Sequence, residues 1–268
     1  MFYGLKEVSV PVGGVFVDAV SFGRGDRALV ILPGLTVRGV KGSGAMLAWM
    51  YRMFAKDWRV TVIDKKSAVP ENCTVKELAE DTAMVMQSLG ITSADVVGVS
   101  MGGMIAQVLA FEHPELVHSL VLAVTLSRCN DKVRQAIETW CAFIESEDRR
   151  GFAEDMVERM YSPAYVRRYR CMIPVLAKLS MPKDQERFLR LAKACLTCDT
   201  EDRLGEIRCP AFVIGGKEDR VVGGEESVEI AGKLGCPVHM YEELGHAAYE
   251  EAGDFNRRIY DFLKIHKT

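Results

Sequence analysis

The sequence has no long apolar run, no leader-like amino terminus and no excess of charge of one sign. Its longest weakly apolar stretch, residues 95–112, is interrupted by Ser100 and three glycines, so it falls short of the uninterrupted run that a membrane helix needs. Met1–Glu7 show no basic segment followed by an apolar one. We therefore expect a cytoplasmic protein without a signal peptide or stable membrane insertion. A net charge of −3, from 34 basic and 37 acidic residues, gives no general attraction to nucleic acid.

Cysteine is present but forms no recognisable framework. The eight cysteines are scattered along the chain, and without an export signal we expect reduced thiols. Cys195 and Cys198 form a single C-x-x-C pair on a predicted helix. Because no second pair of ligands stands at a suitable spacing, neither a zinc site nor a redox role is expected. We predict no metal ion and no organic cofactor.

Apolar and amphipathic segments alternate along the chain, as is typical of α/β proteins. A length of 268 residues with 49% apolar residues is enough for one large domain, or for one domain with an inserted subdomain. Short apolar runs predict strands at residues 15–22, 28–32, 58–63, 95–99, 119–124, 211–214 and 238–241. Amphipathic stretches predict helices at residues 74–89, 101–112, 225–234 and 247–265. Ser43 is expected to cap a further helix.

Residues 125–200 interrupt this alternation. They hold aromatic residues at helical spacing and no convincing strand, and they carry a net charge of +3, against −6 for the rest of the chain. We predict that 125–200 form a helical cap inserted into a core of residues 1–124 and 201–268.

The predicted cap also contains prolines and a basic cluster. Pro163 and Pro182 are expected in the first turns of helices, and Pro174 is expected to kink or end one. The basic cluster is interpreted as a solvated helix face, with attraction of an anionic acyl substrate or a membrane surface as the alternative. It consists of Arg167, Arg168 and Arg170.

Residues Gly98–Gly102 match the pattern G-x-S-x-G around Ser100. The motif follows an apolar predicted strand and opens an apolar predicted helix. Such a sharp turn exposes a serine side chain at the edge of the sheet, in a strained conformation that only small neighbours permit. The helix N-terminus also points its amides toward developing negative charge. The pattern predicts Ser100 as a nucleophile; a tight turn needed only for helix–sheet packing is the alternative.

A nucleophilic serine needs a base, and the base needs an acidic partner. Among the five histidines, His246 directly follows a predicted strand and precedes the last predicted helix, so it can reach a serine at the same sheet edge. The predicted strand 211–214 leads into a loop with two carboxylates, Glu218 and Asp219. Asp219 is the preferred partner and Glu218 the alternative. The order serine, acid, histidine is that of one specific architecture.

Together these motifs resemble the α/β-hydrolase superfamily, in its capped, esterase-like branch. The resemblance runs along nearly the whole chain and implies an α/β-hydrolase fold. In that fold a mostly parallel central sheet is flanked by helices, and a helical cap is inserted here after the sixth core strand. The resemblance is carried by the Pro33-Gly34 turn, the elbow at Ser100, the acid turn at Asp219, the Gly245-His246 loop and the Ser119–Leu122 strand after His113-Pro114-Glu115.

The resemblance also implies an oxyanion hole and shows two departures from the family pattern. Its two donors would be the backbone amides of Leu35 and Met101. The family usually has histidine before the glycine of the first turn, where this chain has Pro33. The family also usually has a glycine-rich turn after the strand that ends at Asp64, where this chain has Lys65–Ser67. We expect these departures to alter loop shape and pocket charge rather than the amide donors.

The motifs and the resemblance predict a serine hydrolase acting on carboxylic esters of small to medium acyl groups, or on lactones or thioesters, through an acyl-enzyme. The alternatives are carbon–carbon bond hydrolysis, lactone opening or cofactor-free haloperoxidation on the same triad, or a receptor with slow turnover. We expect a small-molecule substrate, no nucleic-acid partner, and a monomer or homodimer. Cap residues expected to line an apolar acyl pocket are Trp140, Met156, Met160, Tyr161, Tyr165 and Met172. For most of these residues, a place in the core of the cap without substrate contact is the alternative.

Overall fold

A computed structural model describes residues 3–172, 175 and 181–266. They form an eight-stranded sheet with the strand order β1-β2-β4-β3-β5-β6-β7-β8. The pairs β1–β2 and β2–β4 are antiparallel, and all later neighbours are parallel. The strands are β1 (Lys6–Val12), β2 (Val15–Gly23), β3 (Arg27–Leu32), β4 (Trp58–Lys66), β5 (Ala94–Val99), β6 (Val117–Ala123), β7 (Ala211–Gly216) and β8 (Val238–Tyr241).

Helices cover both faces of the sheet. They are α1 (Gly44–Met50), α2 (Val75–Ser88), α3 (Met101–Glu112), α4 (Asp131–Glu145), α5 (Arg149–Met160), α6 (Pro163–Tyr169), α7 (Gln185–Cys195), α8 (Gly224–Leu234), α9 (Ala248–Glu251) and α10 (Phe255–Ile265). Short 3-10 segments occur at Pro114–Leu116, Arg170–Met172 and Glu201–Glu206. No helix formed by the described residues is long and apolar enough to cross a membrane.

The central strands are apolar on both faces because each face is covered. On β3, Val30 and Leu32 pack in one core cluster with α2 and α3. Leu29 and Ile31 point the other way and pack in a second cluster with α1 and α10. This two-sided burial explains why β3, β5 and β6 appear in the sequence as continuous apolar runs rather than alternating ones.

Helices α4 to α7 lie between β6 and β7. The two ends of this segment run side by side, since the amide of Cys129 donates to the carbonyl of Cys198 at 2.9 Å. Likewise, the amide of Thr200 donates to the carbonyl of Ser127 at 2.7 Å. The chain therefore leaves the sheet and returns to it at one place, and the helices between these points cover the carboxyl ends of the strands.

The structure contains one strand that the sequence did not predict. Strand β1 is joined to β2 by Gly13 and Gly14, whose φ angles of 56° and 85° suit a tight hairpin turn. Most of its residues are exposed or half-buried. Since such an edge strand lacks the apolar run of the central strands, it gives a weak sequence signal.

The helix predicted at 247–265 is wrong as a single element. It is divided into α9 and α10 by residues 252–254. Gly253 has the low helix propensity expected at such a break. Ser43 does precede α1 as predicted, although its side chain makes no capping hydrogen bond.

The proline predictions have different outcomes. Pro163 is the first residue of α6, as predicted, and Ser162 caps that helix. Pro182 does not begin a helix: α7 begins only at Gln185, because the Asp184 side chain accepts the amide of Arg187 and caps the helix there. Pro174 lies outside the described residues.

Candidate active site

Ser100 lies in the sharp turn between β5 and α3. Its φ of 53° and ψ of −119° are rare for a residue with a side chain. Two contacts hold this conformation: the Ser100 amide donates to the carbonyl of Ala123 at 2.8 Å, and the Thr125 hydroxyl donates to the Ser100 carbonyl at 2.8 Å. The strained turn presents the hydroxyl of Ser100 to the space above the sheet.

Glycines make this turn possible. A Cβ atom at Gly102 would lie 1.9 Å from the carbonyl oxygen of Leu32, and one at Gly98 would lie 2.4 Å from the carbonyl oxygen of Gly102. Both clashes are with backbone, which has no room to move. The glycines of the G-x-S-x-G pattern are therefore required by the close approach of α3 to β3 and β5.

His246 lies in the loop after β8, beside Ser100. Its Nε2 atom is 2.9 Å from Ser100 Oγ, and its Nδ1 atom is 2.7 Å from Asp219 Oδ2. His246 and Asp219 are buried, at 4% and 5% exposure. The structure thus brings together three side chains from loops after three different strands, in the arrangement that activates a serine hydroxyl.

The loop after β7 distinguishes the two candidate acids. The second carboxylate oxygen of Asp219 accepts the amides of Val221 at 2.8 Å and Val222 at 3.0 Å. These bonds fix the orientation of the carboxylate toward His246. The neighbouring Glu218 is exposed, so the geometry favours Asp219 over Glu218 as the partner of the histidine.

The candidate oxyanion turn lies directly against Ser100. A Cβ atom at Gly34 would be 3.2 Å from Ser100 Cβ and 3.8 Å from Ser100 Oγ. Leu35, the next residue, lines the same cavity as Ser100 and His246. Met101 is the first residue of α3, where backbone amides have no acceptor within the helix. The two residues predicted to supply the oxyanion donors thus lie next to Ser100.

A cavity of about 510 Å³ lies above these groups, between the sheet and the helices that follow β6. All six cap residues predicted for the pocket line it: Trp140, Met156, Met160, Tyr161, Tyr165 and Met172. Phe188 and Tyr249 also line it, although the sequence did not predict them there. Neither residue could be assigned to the cavity wall from periodicity, because its position there depends on how α7 and α9 pack against the other helices.

The cavity wall is mostly apolar, with an aromatic and acidic edge. The rings of Tyr161 and Tyr165 are stacked, with centroids 4.4 Å apart. The Tyr161 hydroxyl donates to Glu250 Oε2 at 2.5 Å. Burial, and then the nearby Glu250 carboxylate, raise the pKa of Tyr161, so its hydroxyl stays protonated. Among the lining residues that the structure describes, none is a lysine or arginine, and Glu250 is the one carboxylate.

The two cysteines of the C-x-x-C pair are buried, and Cys195 is one of the residues that line the cavity. Burial raises the pKa of the Cys195 thiol to about 12 and also raises that of Cys198, so neither is a reactive thiolate. Within the described ranges, no group of three or more metal-ligating side chains occurs. The basic cluster of Arg167, Arg168 and Arg170 is exposed on α6 and the 3-10 turn after it.

Lys65 is a further residue near the site that the sequence analysis did not place there. It extends from β4 and is buried, at 6% exposure. Its ammonium donates to the carbonyl of Pro33 at 2.5 Å and to that of Gly34 at 2.6 Å. The only sequence signal was the departure from the usual glycine-rich turn after Asp64. The lysine therefore holds the turn that carries Leu35.

Comparison with known proteins identifies the family of this fold. A family model described as the alpha/beta hydrolase fold matches residues 28–253. The chain belongs to the alpha/beta hydrolase fold family. This membership confirms the predicted superfamily and fold class.

Relatives of this alpha/beta hydrolase are named for different substrates. It is 24% identical over 236 residues to "Putative carbamate hydrolase RutD" of Rhizobium rhizogenes, covering 84% of this chain and 90% of the relative. It is 26% identical over 228 residues to 2-hydroxy-6-oxo-6-phenylhexa-2,4-dienoate hydrolase of Comamonas testosteroni, covering 80% and 77%.

The crystal structure of the enol-lactonase from Burkholderia xenovorans superimposes with a TM-score of 0.82 at 21% identity. The match covers 96% of this chain and 100% of the lactonase. These names and the family membership support a hydrolase activity without specifying the bond that is cleaved.

Proposed function

We propose that this alpha/beta hydrolase is a serine hydrolase that cleaves neutral carboxylic esters with an apolar acyl group. The observation that carries the proposal is the hydrogen-bonded chain from Ser100 Oγ through His246 to Asp219. This chain opens onto a largely apolar cavity large enough for a medium-sized ester. The arrangement supplies a nucleophile, a base and an orienting acid in one place.

The first half of the reaction forms an acyl-enzyme. Ser100 Oγ attacks the ester carbonyl carbon while His246 Nε2 takes the hydroxyl proton. The carbonyl oxygen becomes negatively charged and accepts hydrogen bonds from the amides of Leu35 and Met101; losing one such donor costs on the order of 3 kcal/mol of transition-state stabilisation. The carbon–oxygen bond to the alcohol then breaks, and His246 passes its proton to the leaving alcohol.

The second half releases the acid. His246 Nε2 takes a proton from a water molecule, which attacks the acyl carbonyl carbon in place of the alcohol. The same two amides stabilise the second oxyanion. The bond to Ser100 Oγ breaks as the serine regains its proton, and the carboxylic acid leaves. Asp219 accepts the hydrogen bond from His246 Nδ1 throughout and keeps that proton in place.

The charge of the cavity supports a neutral substrate. The dienoate named for the Comamonas relative is a carboxylate anion, and a buried anion needs a cation or several donors. The described lining offers no lysine or arginine for this purpose, and Glu250 would repel an anion. Met156, Met160 and the stacked tyrosines instead provide apolar surface for an uncharged acyl chain.

The test is hydrolysis of p-nitrophenyl esters from acetate to decanoate, combined with a fluorophosphonate label located by mass spectrometry. We expect fast turnover with a chain-length optimum, and labelling at Ser100. A p-nitrophenyl monoester of a dicarboxylic acid of matched length is expected to be at least about tenfold poorer in kcat/KM. A preference for the anionic ester would contradict the proposed substrate class.

The matched variant is Ser100→Ala, which keeps the fold and removes the nucleophile. Turnover should fall by at least about 1000-fold and labelling should disappear, with the circular dichroism spectrum unchanged. Ester hydrolysis at the wild-type rate in this variant would refute the mechanism. Labelling of Ser100 without ester turnover would instead direct the search to carbon–carbon bond or lactone hydrolysis.

A further inference from the structure

The two departures from the family pattern meet in one contact. Pro33 stands where the family usually has histidine, and Lys65 stands in the segment that is usually glycine-rich. In the structure the Lys65 ammonium donates to the carbonyls of Pro33 and Gly34, at 2.5 and 2.6 Å. A buried side chain from β4 thus donates two hydrogen bonds to the turn that precedes Leu35.

The second of these carbonyls belongs to the same peptide unit as the candidate oxyanion donor. The Gly34 carbonyl and the Leu35 amide share one planar trans peptide, in which C=O and N–H point in opposite directions. Holding the carbonyl toward Lys65 therefore aims the Leu35 N–H away from Lys65. Gly34 and Leu35 both line the cavity with Ser100, so this peptide unit lies at the edge of the region where the substrate carbonyl would lie.

A cation on the carbonyl also changes the strength of the amide as a donor. An ammonium bonded to a carbonyl oxygen draws electron density from the peptide, and hydrogen bonds that share a polarised group strengthen each other. We propose that Lys65 is a positioning residue that orients and polarises the Gly34–Leu35 peptide, and so strengthens the first oxyanion donor. The inference rests on the proposed function, because it requires an oxyanion to form on Ser100 acylation.

The surroundings of Lys65 impose a desolvation cost on its ammonium that a purely structural role would not require. Burial lowers the pKa of Lys65 to about 8, and only part of this is offset by the nearby Asp64 carboxylate. That carboxylate is engaged by Arg187, at 3.3 Å, and by the amides of Val40 and Lys65 itself. The ammonium therefore bonds to neutral carbonyls while a second cation lies close by. A neutral donor would satisfy those carbonyls at a lower desolvation cost.

The adjacent residue provides a matched control. Lys66 is also buried, at 8% exposure, but its ammonium pairs with Asp81 on α2 at 2.8 Å. It contacts neither Pro33 nor Gly34 in the structure. Lys66→Met thus removes a buried cation from the same strand without touching the oxyanion turn.

The experiment compares Lys65→Met and Lys66→Met on the best neutral p-nitrophenyl ester. For Lys65→Met we expect kcat to fall by about 10- to 100-fold, less than for loss of a whole donor, with KM within about twofold of wild type. For Lys66→Met we expect unchanged kcat per folded molecule, although its thermal stability should fall.

A trifluoromethyl ketone distinguishes orientation of the donor from general damage. It forms a tetrahedral adduct with an oxyanion on Ser100, whereas the corresponding secondary alcohol has no carbonyl carbon to attack and binds uncharged. Lys65→Met should weaken ketone binding by the same factor as kcat and leave binding of the alcohol unchanged. Wild-type kcat and ketone affinity in Lys65→Met would overturn the inference, and so would an equal loss for the alcohol or for Lys66→Met.

Two further comparisons keep the test decisive. If Lys65→Met does not fold, Lys65→Arg and Lys65→Gln replace it: arginine keeps the cation and should retain about tenfold more kcat and ketone affinity than glutamine. Equal values for the two would overturn the inference.

The result for Ser100→Ala separates the two proposals. Activity in Ser100→Ala refutes the proposed function, whereas an inactive Ser100→Ala with a wild-type Lys65→Met refutes the role of Lys65 alone.

Discussion

At the scale of single residues, the site depends on a strained serine. The φ of 53° at Ser100 costs on the order of 1–3 kcal/mol for a residue with a side chain. The strain persists because the Ser100 amide and carbonyl are held by Ala123 and Thr125 and because Gly102 lets α3 approach Leu32. The conformation that exposes the hydroxyl is therefore maintained by neighbours from three other elements.

Asp219 orients the histidine through a single carboxylate oxygen. In Asp219→Asn the amide can still accept from Val221 and Val222, but its NH2 group would face His246 Nδ1 and favour the wrong tautomer. We expect kcat to fall on the order of 10⁴-fold with little change in stability. Ester kinetics and urea unfolding measure the two effects.

The control for this prediction is Glu218→Gln, which alters the exposed carboxylate next in sequence. Its kcat should stay within about twofold of wild type, since a solvated surface carboxylate contributes little. A large loss in Glu218→Gln with a near-normal Asp219→Asn would reassign the acid to Glu218.

At the scale of elements, helix α7 is tied to the end of β4 by Arg187. Its guanidinium donates to the carbonyls of Lys65 and Lys66, at 2.8 and 2.9 Å, and pairs with Asp64 at 3.3 Å. The side chain of Arg187 is 15% exposed and that of Asp64 is 4% exposed. This contact joins the helices after β6 to the strand that carries Lys65.

Arg187→Met should loosen this junction. It leaves Asp64 without its cation and frees two strand-end carbonyls, so we expect the free energy of unfolding to fall by about 2 kcal/mol. The control is Arg150→Ala, which removes a highly exposed pair with Glu154 on α5 and should leave the urea midpoint unchanged. Equal urea midpoints for wild type and Arg187→Met would show that this contact does not contribute to stability.

Elements with a strong local pattern were predicted well, and those that depend on packing were not. Thr74 and Glu77 form the capping box that starts α2, close to the predicted boundary. The break between α9 and α10 was missed because one glycine in an amphipathic stretch is tolerated in many helices. The cap limits of 125 and 200 stay a prediction. The paired backbone at Ser127 and Thr200 supports them.

At the scale of the whole molecule, the two ends of the sheet have different roles. The carboxyl ends of β5, β7 and β8 lead to the candidate triad. At the amino end, the buried carboxylate of Asp95 on β5 accepts from Arg27 at 2.8 Å, Trp58 Nε1 at 2.7 Å and Ser119 at 2.7 Å. One carboxylate at the end of β5 remote from Ser100 thereby joins four strands: β3, β4, β5 and β6.

Asp95→Ala should therefore affect stability and not catalysis. The change leaves a half-buried Arg27 without its carboxylate partner and the Trp58 N–H without its acceptor, so we expect the free energy of unfolding to fall by about 3 kcal/mol. The kcat per folded molecule should remain within about twofold of wild type. A selective loss of kcat with normal stability would mean that the two ends of the sheet are coupled.

The sequence by itself determined the features that depend on short stretches of chain. The turn at Gly98–Gly102, the apolar runs of β3, β5 and β6, and the helical character of the segment after β6 are all local patterns, set by steric limits and by burial of one or two faces. The chain order of Ser100, Asp219 and His246 also indicated the resemblance to the α/β-hydrolase superfamily. These signals were enough to predict the fold class and the candidate catalytic residues.

Only the tertiary structure decided how distant residues meet. Ser100 and His246 are 146 positions apart, and their 2.9 Å contact depends on the packing of the whole sheet. The choice of Asp219 over Glu218 follows from two backbone amides that the loop turns toward one carboxylate. The role inferred for Lys65 likewise depends on β4 lying next to β3, which brings its ammonium to the carbonyls of the oxyanion turn. Spacing along a chain cannot show such contacts, because they are set by the packing of elements that are remote in sequence.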